Sequence, residues 1–164
     1  LSLKYPGTLI LRTSWLYSNF GENFYTKIFN LHKNYNKQSK PIKIINDQFG
    51  SPTTVDSLAD ACWKLIIAAS NKKDIQKIFH WSNSGVISWY QFAKAIGEVS
   101  EEIGLINKAA PIIPIRSYQY PSNIIRPKYS ALDCNSTCEY IDLDQIKWQD
   151  ALKYKLIQKS ILDS

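Results

Sequence analysis

The stretch Thr8-Leu9-Ile10-Leu11-Arg12-Thr13-Ser14-Trp15 reads as a buried strand that leaves the core at its carboxyl end. Three consecutive aliphatics without alternation suit a strand covered on both faces, the habit of parallel sheets. In open α/β sheets the carboxyl edge, where the polar residues then emerge, is where ligands bind. Outward from this strand the alternation continues. Phe24, Ile28 and Leu31 recur at helical spacing, and that helix ends in the polar stretch Asn34 to Lys40 ahead of Pro41. Ile42 to Asn46 reads as a short strand, and Asp47 to Thr54, with Gly50 and Pro52, as a turn region. A second helix is expected over Ser57 to Ala69, with Leu58, Ala61, Cys62, Leu65, Ile66 and Ala69 as its apolar stripe. Ile78-Phe79-His80-Trp81 is a third strand, closed by Ser82-Asn83-Ser84-Gly85. Ser88 followed by Gln91 is a capping-box pattern for a helix buried through Phe92, Ile96, Val99 and Ile103.

Beyond Gly104 the chain changes character. Pro111, Pro114, Pro121 and Pro127 punctuate an extended region from Ala110 to Tyr129. A last amphipathic helix, Trp148 to Ile161, carries Trp148, Leu152 and Leu156 on one side. Alternating strands and helices imply an α/β layer with a parallel sheet. Three short strands make a small sheet for this length. The expectation is therefore the later half of a doubly wound, Rossmann-type sheet over 1–105, followed by a small carboxyl-terminal substrate-binding lobe over 106–164.

Of 164 residues, 45% are apolar and 21% charged, ordinary globular usage that excludes disorder, collagen and low complexity. No apolar run approaches the ~18 residues of a membrane span, and Leu1 to Pro6 does not resemble a leader. Three cysteines, an odd number, suit a reducing compartment, so a cytoplasmic location is expected. Cys62 is expected in the core. Cys134 and Cys138 lie four apart, but with His32 and His80 the only histidines a zinc site is short of ligands. The net charge of +6 suits a polyanionic or phosphate-bearing partner, or reads as a solvated Lys-rich surface, the plainer of the two. The charge is mostly scattered Lys, with Lys72-Lys73 the one adjacent pair, so neither a nucleic-acid partner nor a membrane is expected. The chain contains no Met, and the expectation drawn from this is a processed, truncated or second-half polypeptide.

Past the first strand come Arg12, Thr13, Ser14, Trp15 and Tyr17. Hydroxyls hydrogen-bond sugar or phosphate oxygens, and an indole face packs on a pyranose or a base. The group reads as a sugar- or nucleotide-binding wall or as core aromatics at the top of a strand, and spacing leaves both open. The run Asn46-Asp47-Gln48-Phe49-Gly50-Ser51-Pro52-Thr53 either reads a base edge or satisfies its own turn. Arg126, before Pro127, suits bidentate phosphate recognition or stands as a surface Arg. No Gly-x-Gly-x-x-Gly, Walker or Gly-x-Ser-x-Gly pattern is present. Tyr90 and Lys94 have the spacing of a Tyr-x-x-x-Lys dyad, but they fall in a packing helix and are read as coincidence.

Taken in order, Leu11-Arg12-Thr13-Ser14-Trp15-Leu16-Tyr17, Gly21-x-Asn23-Phe24, Asn46 to Thr53 and Leu58-Ala59-Asp60 form a pattern that continues downstream. Ser88-Trp89-Tyr90-x-Phe92-Ala93, Tyr120-Pro121 and Arg126-Pro127-x-Tyr129-Ser130-x-Leu132-Asp133 complete it. The whole resembles the carboxyl-terminal half of the dTDP-4-dehydrorhamnose reductase family, an extended short-chain dehydrogenase/reductase group. The resemblance implies NADPH- or NADH-dependent reduction of dTDP-4-dehydro-6-deoxy-L-mannose (dTDP-6-deoxy-L-lyxo-4-hexulose) to dTDP-L-rhamnose. It implies that the dinucleotide loop and the Tyr/Lys dyad precede this span, so that this chain carries no catalytic or cofactor-binding residue of its own and is inactive alone. It further implies that Trp15 contacts substrate beside Thr13, Ser14 and Tyr17, that Asn46 and Gln48 shape the sugar-nucleotide side, and that Arg126 meets the diphosphate. Asp56 falls where a magnesium-bridged member has an acidic residue, which implies a Mg²⁺ contact. Partners implied are the dTDP-sugar, the amino-terminal half and, through open strand edges, a homodimer or other self-association. Two other readings share the architecture: a regulatory subunit similar to the methionine adenosyltransferase β subunit, and a sister sugar-nucleotide epimerase or dehydratase. A basic nucleic-acid module is a third.

Overall fold

The computed structural model describes residues 7–35, 40–70, 76–121, 124 and 126–162. The leader reading of Leu1 to Pro6, the Lys72-Lys73 pair and the middle of the Asn34 to Lys40 stretch lie outside them.

The first aliphatic run forms strand β1 (Ile10–Arg12), followed after a bend by β2 (Leu16–Tyr17). Helix α1 (Phe24–Lys33) starts at Asn23, whose side chain accepts from the Thr26 N–H while the Thr26 hydroxyl accepts from the Asn23 N–H. Strands β3 (Ile42–Ile45), β4 (Phe49–Gly50) and β5 (Thr53–Thr54) lead into α2 (Val55–Ser70). Strands β6 (Ile78–His80) and β7 (Ile87–Ser88) precede α3 (Trp89–Glu102), capped by Ser88 and Gln91 as the sequence pattern predicts. Strand β8 (Ile112–Ile115), a 3₁₀ turn (Ser117–Gln119), α4 (Asn135–Ile141) and α5 (Trp148–Leu162) complete the described chain.

The fold is mixed α/β with parallel strands, as expected. The pairing differs from a single sheet. Among the described residues the strands form four two-stranded ladders: β1 with β6, β2 with β5 and β3 with β8, all parallel, and β4 with β7, antiparallel. β1 and β6 pair Ile10 with Ile78 and Arg12 with His80. The strand at Ile42–Ile45 does not join them. It pairs with β8, Ile42 opposite Ile112 and Ile45 opposite Ile115, from the Pro-rich region expected only to be extended. Pro114 is tolerated because β8 is paired on one side, where a missing N–H toward the open side breaks no ladder.

Two cores result. Ala61, Leu65, Phe79, Trp81 and Ile141 pack α2 and α4 against the β1–β6 ladder. Tyr17, Ile28, Phe29, Ile44, Phe92, Ile96, Leu152 and Leu156 pack α1, α3 and α5 with β3. Both draw residues from before and after position 105, so the cores interleave along the chain.

Helix α2 corrects the expected stripe. Its buried residues are Ser57, Ala61 and Leu65, at i, i+4 and i+8, whereas Cys62 is exposed and Ile66 is 57% exposed. The covered face is rotated toward Ser57, so the Ala61–Leu65 side of the predicted stripe meets the β1–β6 ladder and the Cys62–Ile66 side is left outside. Helix α4 escaped the sequence reading because seven residues with two buried positions, Thr137 and Ile141, carry no readable period. No helix of the described residues is long and apolar enough to cross a membrane.

Candidate functional site

The bend between β1 and β2 is built around Trp15, whose φ of 49° is a left-handed conformation uncommon for a bulky residue. The bend is held from outside: Thr53 N–H donates to the Trp15 carbonyl at 3.1 Å, and the Ser14 hydroxyl donates to the Ser51 carbonyl at 3.4 Å. The indole lies flat on Trp89, ring centroids 3.4 Å apart and planes within 6°. Its edge rests over Gly50, where a Cβ would come within 2.5 Å of Trp15 Cε2. Sequence position explains each part. β1 ends in polar residues, Ser88 caps α3 and so places Trp89 in its first turn, and Gly50 supplies a site without a side chain.

These walls enclose an open cleft of about 280 Å³, lined by Ser14, Trp15, Gln48, Trp89, Arg126, Pro127 and Ser130. Four of the seven residues expected at the site meet here: Ser14, Trp15, Gln48 and Arg126. They come from three separate segments. Gln48 is 7% exposed, and Arg126 is exposed. The Arg126 segment is anchored beside β4, since Phe49 N–H donates to the Lys128 carbonyl at 2.8 Å and Ser130 N–H to the Phe49 carbonyl at 2.9 Å. Arg126 is the one charged side chain among these lining residues.

The other expected residues stand elsewhere. Tyr17 is 2% exposed in the core, tilted on Tyr25 at 5.4 Å and edge-on to Phe92 at 5.2 Å. Burial, with smaller contributions from Tyr25 and Asp56, pushes its hydroxyl far above the usual phenol range. Thr13 is half-buried, and its hydroxyl has no hydrogen-bond partner among the described residues. Asn46 Oδ1 accepts from the Ser88 hydroxyl at 2.7 Å, tying β3 to the cap of α3. Asp47 accepts from Ser117 N–H and hydroxyl at 2.9 and 3.1 Å, so Asn46 and Asp47 tie distant segments of the fold together while Gln48 faces the cleft. Trp89 and Ser130 belong to the site and were missed. Both sit within motifs that the sequence displays, but neither carries a charge or pattern that sets it apart.

The Mg²⁺ expectation at Asp56 finds no support. The Asp56 carboxylate is ion-paired with the Lys155 ammonium, a cation already in place, and Lys155 is 4% exposed. Among the described residues no group of three or more His, Cys, Asp or Glu could hold a metal ion. Tyr90 and Lys94 lie in α3, away from the cleft, in a smaller hollow with His32, where Lys94 pairs with Glu98 at 3.4 Å. Among the described residues, Gly50, Gly85 and Gly97 lie against the rings of Trp15, Trp148 and His32, and no Gly-rich turn is present to cradle a dinucleotide's pyrophosphate.

Residues 2–160 match the family described as RmlD substrate binding domain. The chain is 32% identical over 148 residues to the dTDP-4-dehydrorhamnose reductase of Escherichia coli (strain K12), across 90% of this chain and 48% of that protein. The crystal structure of a dTDP-4-dehydrorhamnose reductase ortholog from Clostridium acetobutylicum aligns with a TM-score of 0.76 at 30% identity, over 97% of this chain and 50% of that one. That of the Bacillus anthracis enzyme in complex with NADP aligns with a TM-score of 0.72 at 30% identity, over 92% and 48%. The chain thus spans about half the length of the relatives it matches. A match over nearly every residue, together with a cleft at the carboxyl side of β1, makes this chain a member of the RmlD substrate-binding-domain family.

Proposed function

We propose that the chain is the sugar-nucleotide-binding half of an NADP(H)-dependent dTDP-4-dehydrorhamnose reductase, and that it contributes binding and orientation rather than hydride or proton transfer. The observation that carries this is the convergence of Ser14, Trp15, Gln48 and Arg126 from three distant segments on one cleft. In this reading Trp15 packs a ring of the ligand and Gln48 and Ser14 hydrogen-bond it. Arg126 takes the diphosphate, for which a planar five-donor guanidinium is suited. Thr13, Tyr17 and Asn46 support the wall from behind. A nucleoside-diphosphate sugar is larger than the 280 Å³ cleft, so its remaining surface is covered by the portion of the reductases that this chain does not span. NADP is bound in the Bacillus anthracis enzyme. Its reduced form, NADPH, would supply the hydride, and in this reading its site belongs to that same portion. Holding a keto-sugar in one pose lowers a barrier by orientation alone.

The test is calorimetric titration of the purified chain with dTDP-L-rhamnose and with UDP-glucose. Saturable binding of the first, weakened by Arg126→Ala and by salt, is expected. No binding of dTDP-L-rhamnose refutes the reading. Keto-sugar-dependent NADPH oxidation by this chain alone refutes the division of labour.

A further inference from the structure

We propose that Trp89 is a positioning residue that acts through Trp15: the stacked pair sets the indole wall of the cleft, and with it the affinity for the sugar portion of a nucleotide sugar. This rests on the function proposed above and deepens it. Trp89 occupies one face of Trp15 at 3.4 Å, leaving only the opposite face to meet a ring. Trp89 is itself held by Phe24, centroids 4.4 Å apart, and Phe24 stacks on Phe92 at 5.8 Å and 15°. Phe92 is 1% exposed and meets Tyr17 and Trp148 edge-on. A continuous run of rings therefore ties the wall of the cleft to the core. At the other end Trp15 is constrained by its left-handed backbone and by the close approach of its edge to Gly50. An indole clamped in this way binds without first being ordered, so the ligand does not bear that entropy cost.

An aromatic stack of this kind corresponds to about a two- to tenfold change in affinity. The test compares the wild-type chain with Trp89→Leu and Trp89→Phe by calorimetric titration with dTDP-L-rhamnose and, separately, dTDP. Far-ultraviolet circular dichroism of each protein reads the exciton couplet that two stacked indoles produce. The wild type is expected to show the couplet and both variants to lose it. Trp89→Leu is expected to weaken dTDP-L-rhamnose about two- to tenfold while leaving dTDP unchanged, and Trp89→Phe to restore the affinity. Should Trp89→Leu not fold, Trp89→His, a smaller ring, takes its place under the same criteria. Equal losses for both ligands, no loss at all, or no rescue by Phe overturns the proposal, and a wild-type couplet that survives in Trp89→Leu overturns the stacked arrangement itself. A wild type that binds neither ligand refutes the proposed function and the binding role of Trp89 together. A wild type that binds both, with variants that lose no sugar selectivity, overturns this inference alone.

Discussion

Replacing Gly50 by alanine adds one methyl group at the most crowded point of the cleft. The new Cβ would lie 2.5 Å from Trp15 Cε2, 2.6 Å from Trp15 Nε1 and 2.9 Å from Ser130 Oγ. Carbon atoms settle at about 3.5–4.0 Å, so the indole or β4 must move by roughly 1 Å. The indole is not free to do so, being stacked on Trp89 and fixed at its backbone by the Thr53 hydrogen bond. Gly50 is not among the positive-φ residues, so alanine meets no backbone strain there. The effect is then overpacking, about 1–3 kcal/mol, offset by about 0.4–1 kcal/mol from the stiffer unfolded chain. The ranges net to a loss of up to about 2.6 kcal/mol with a midpoint of about 1.3 kcal/mol, a fall in Tm of roughly 3–5 °C at that midpoint for a chain of this size. Urea unfolding measures the stability, and near-ultraviolet circular dichroism reports the environment of the indoles. A Gly50→Ala protein as stable as the wild type, with an unchanged aromatic spectrum, would refute the clamped geometry of Trp15.

Three further outcomes are expected. Leu152 and Leu156 are both fully buried on α5, and Leu156→Ala should lower the unfolding free energy by about 2–5 kcal/mol in urea titration; a loss below about 1 kcal/mol would mean that α5 is not docked on the core. His32 is buried, accepting at Nδ1 from Ala110 N–H at 3.0 Å and bonded at Nε2 to the Ala93 carbonyl at 3.1 Å, and burial lowers its pKa. The unfolded chain therefore takes up the proton first: His32's contribution is complete above about pH 6.5 and is lost as pH falls toward the folded value. Melting curves between pH 5 and 8 should show this decline in the wild type and less of it in His32→Gln; equal slopes would remove His32 as its source. Exposed Cys62 should react with a thiol reagent in the native protein well before buried Cys134, whose thiol burial also pushes up in pKa, and comparable rates would contradict the outward orientation of that face of α2.

How far the sequence could be read depended on the kind of signal. The capping pair Ser88 and Gln91 is local chemistry, and it was legible because a helix start needs only its own residues. The helix carrying Leu152 and Leu156 was legible from spacing for the same reason. Pairing partners were not. Ile42–Ile45 looks like any other short aliphatic strand, and its partner Ile112–Ile115 lies far along the chain in a stretch that four prolines make read as extended but unpaired. Cys62 was misplaced because periodicity marks an apolar arc but not which part of it is covered.

The candidate site divides along the same line. Trp15, Ser14, Gln48 and Arg126 could be named from residue chemistry and the ordered motifs around them. Thr13, Tyr17, Asn46 and Asp56 carry the same kinds of group and stand elsewhere: a hydroxyl away from the cleft, a phenol in the core, an amide on a helix cap, a carboxylate on Lys155. The sequence by itself determined the alternation of strand and helix, the ends of the capped helices and the supply of ring, amide and guanidinium groups, because these follow from neighbours a few residues apart. Only the tertiary structure decided which strands pair, which face of α2 is covered and that Trp89 meets Trp15 over Gly50. Those outcomes turn on contacts between segments tens of residues apart, where side-chain volume and hydrogen bonding from several elements must be satisfied at once.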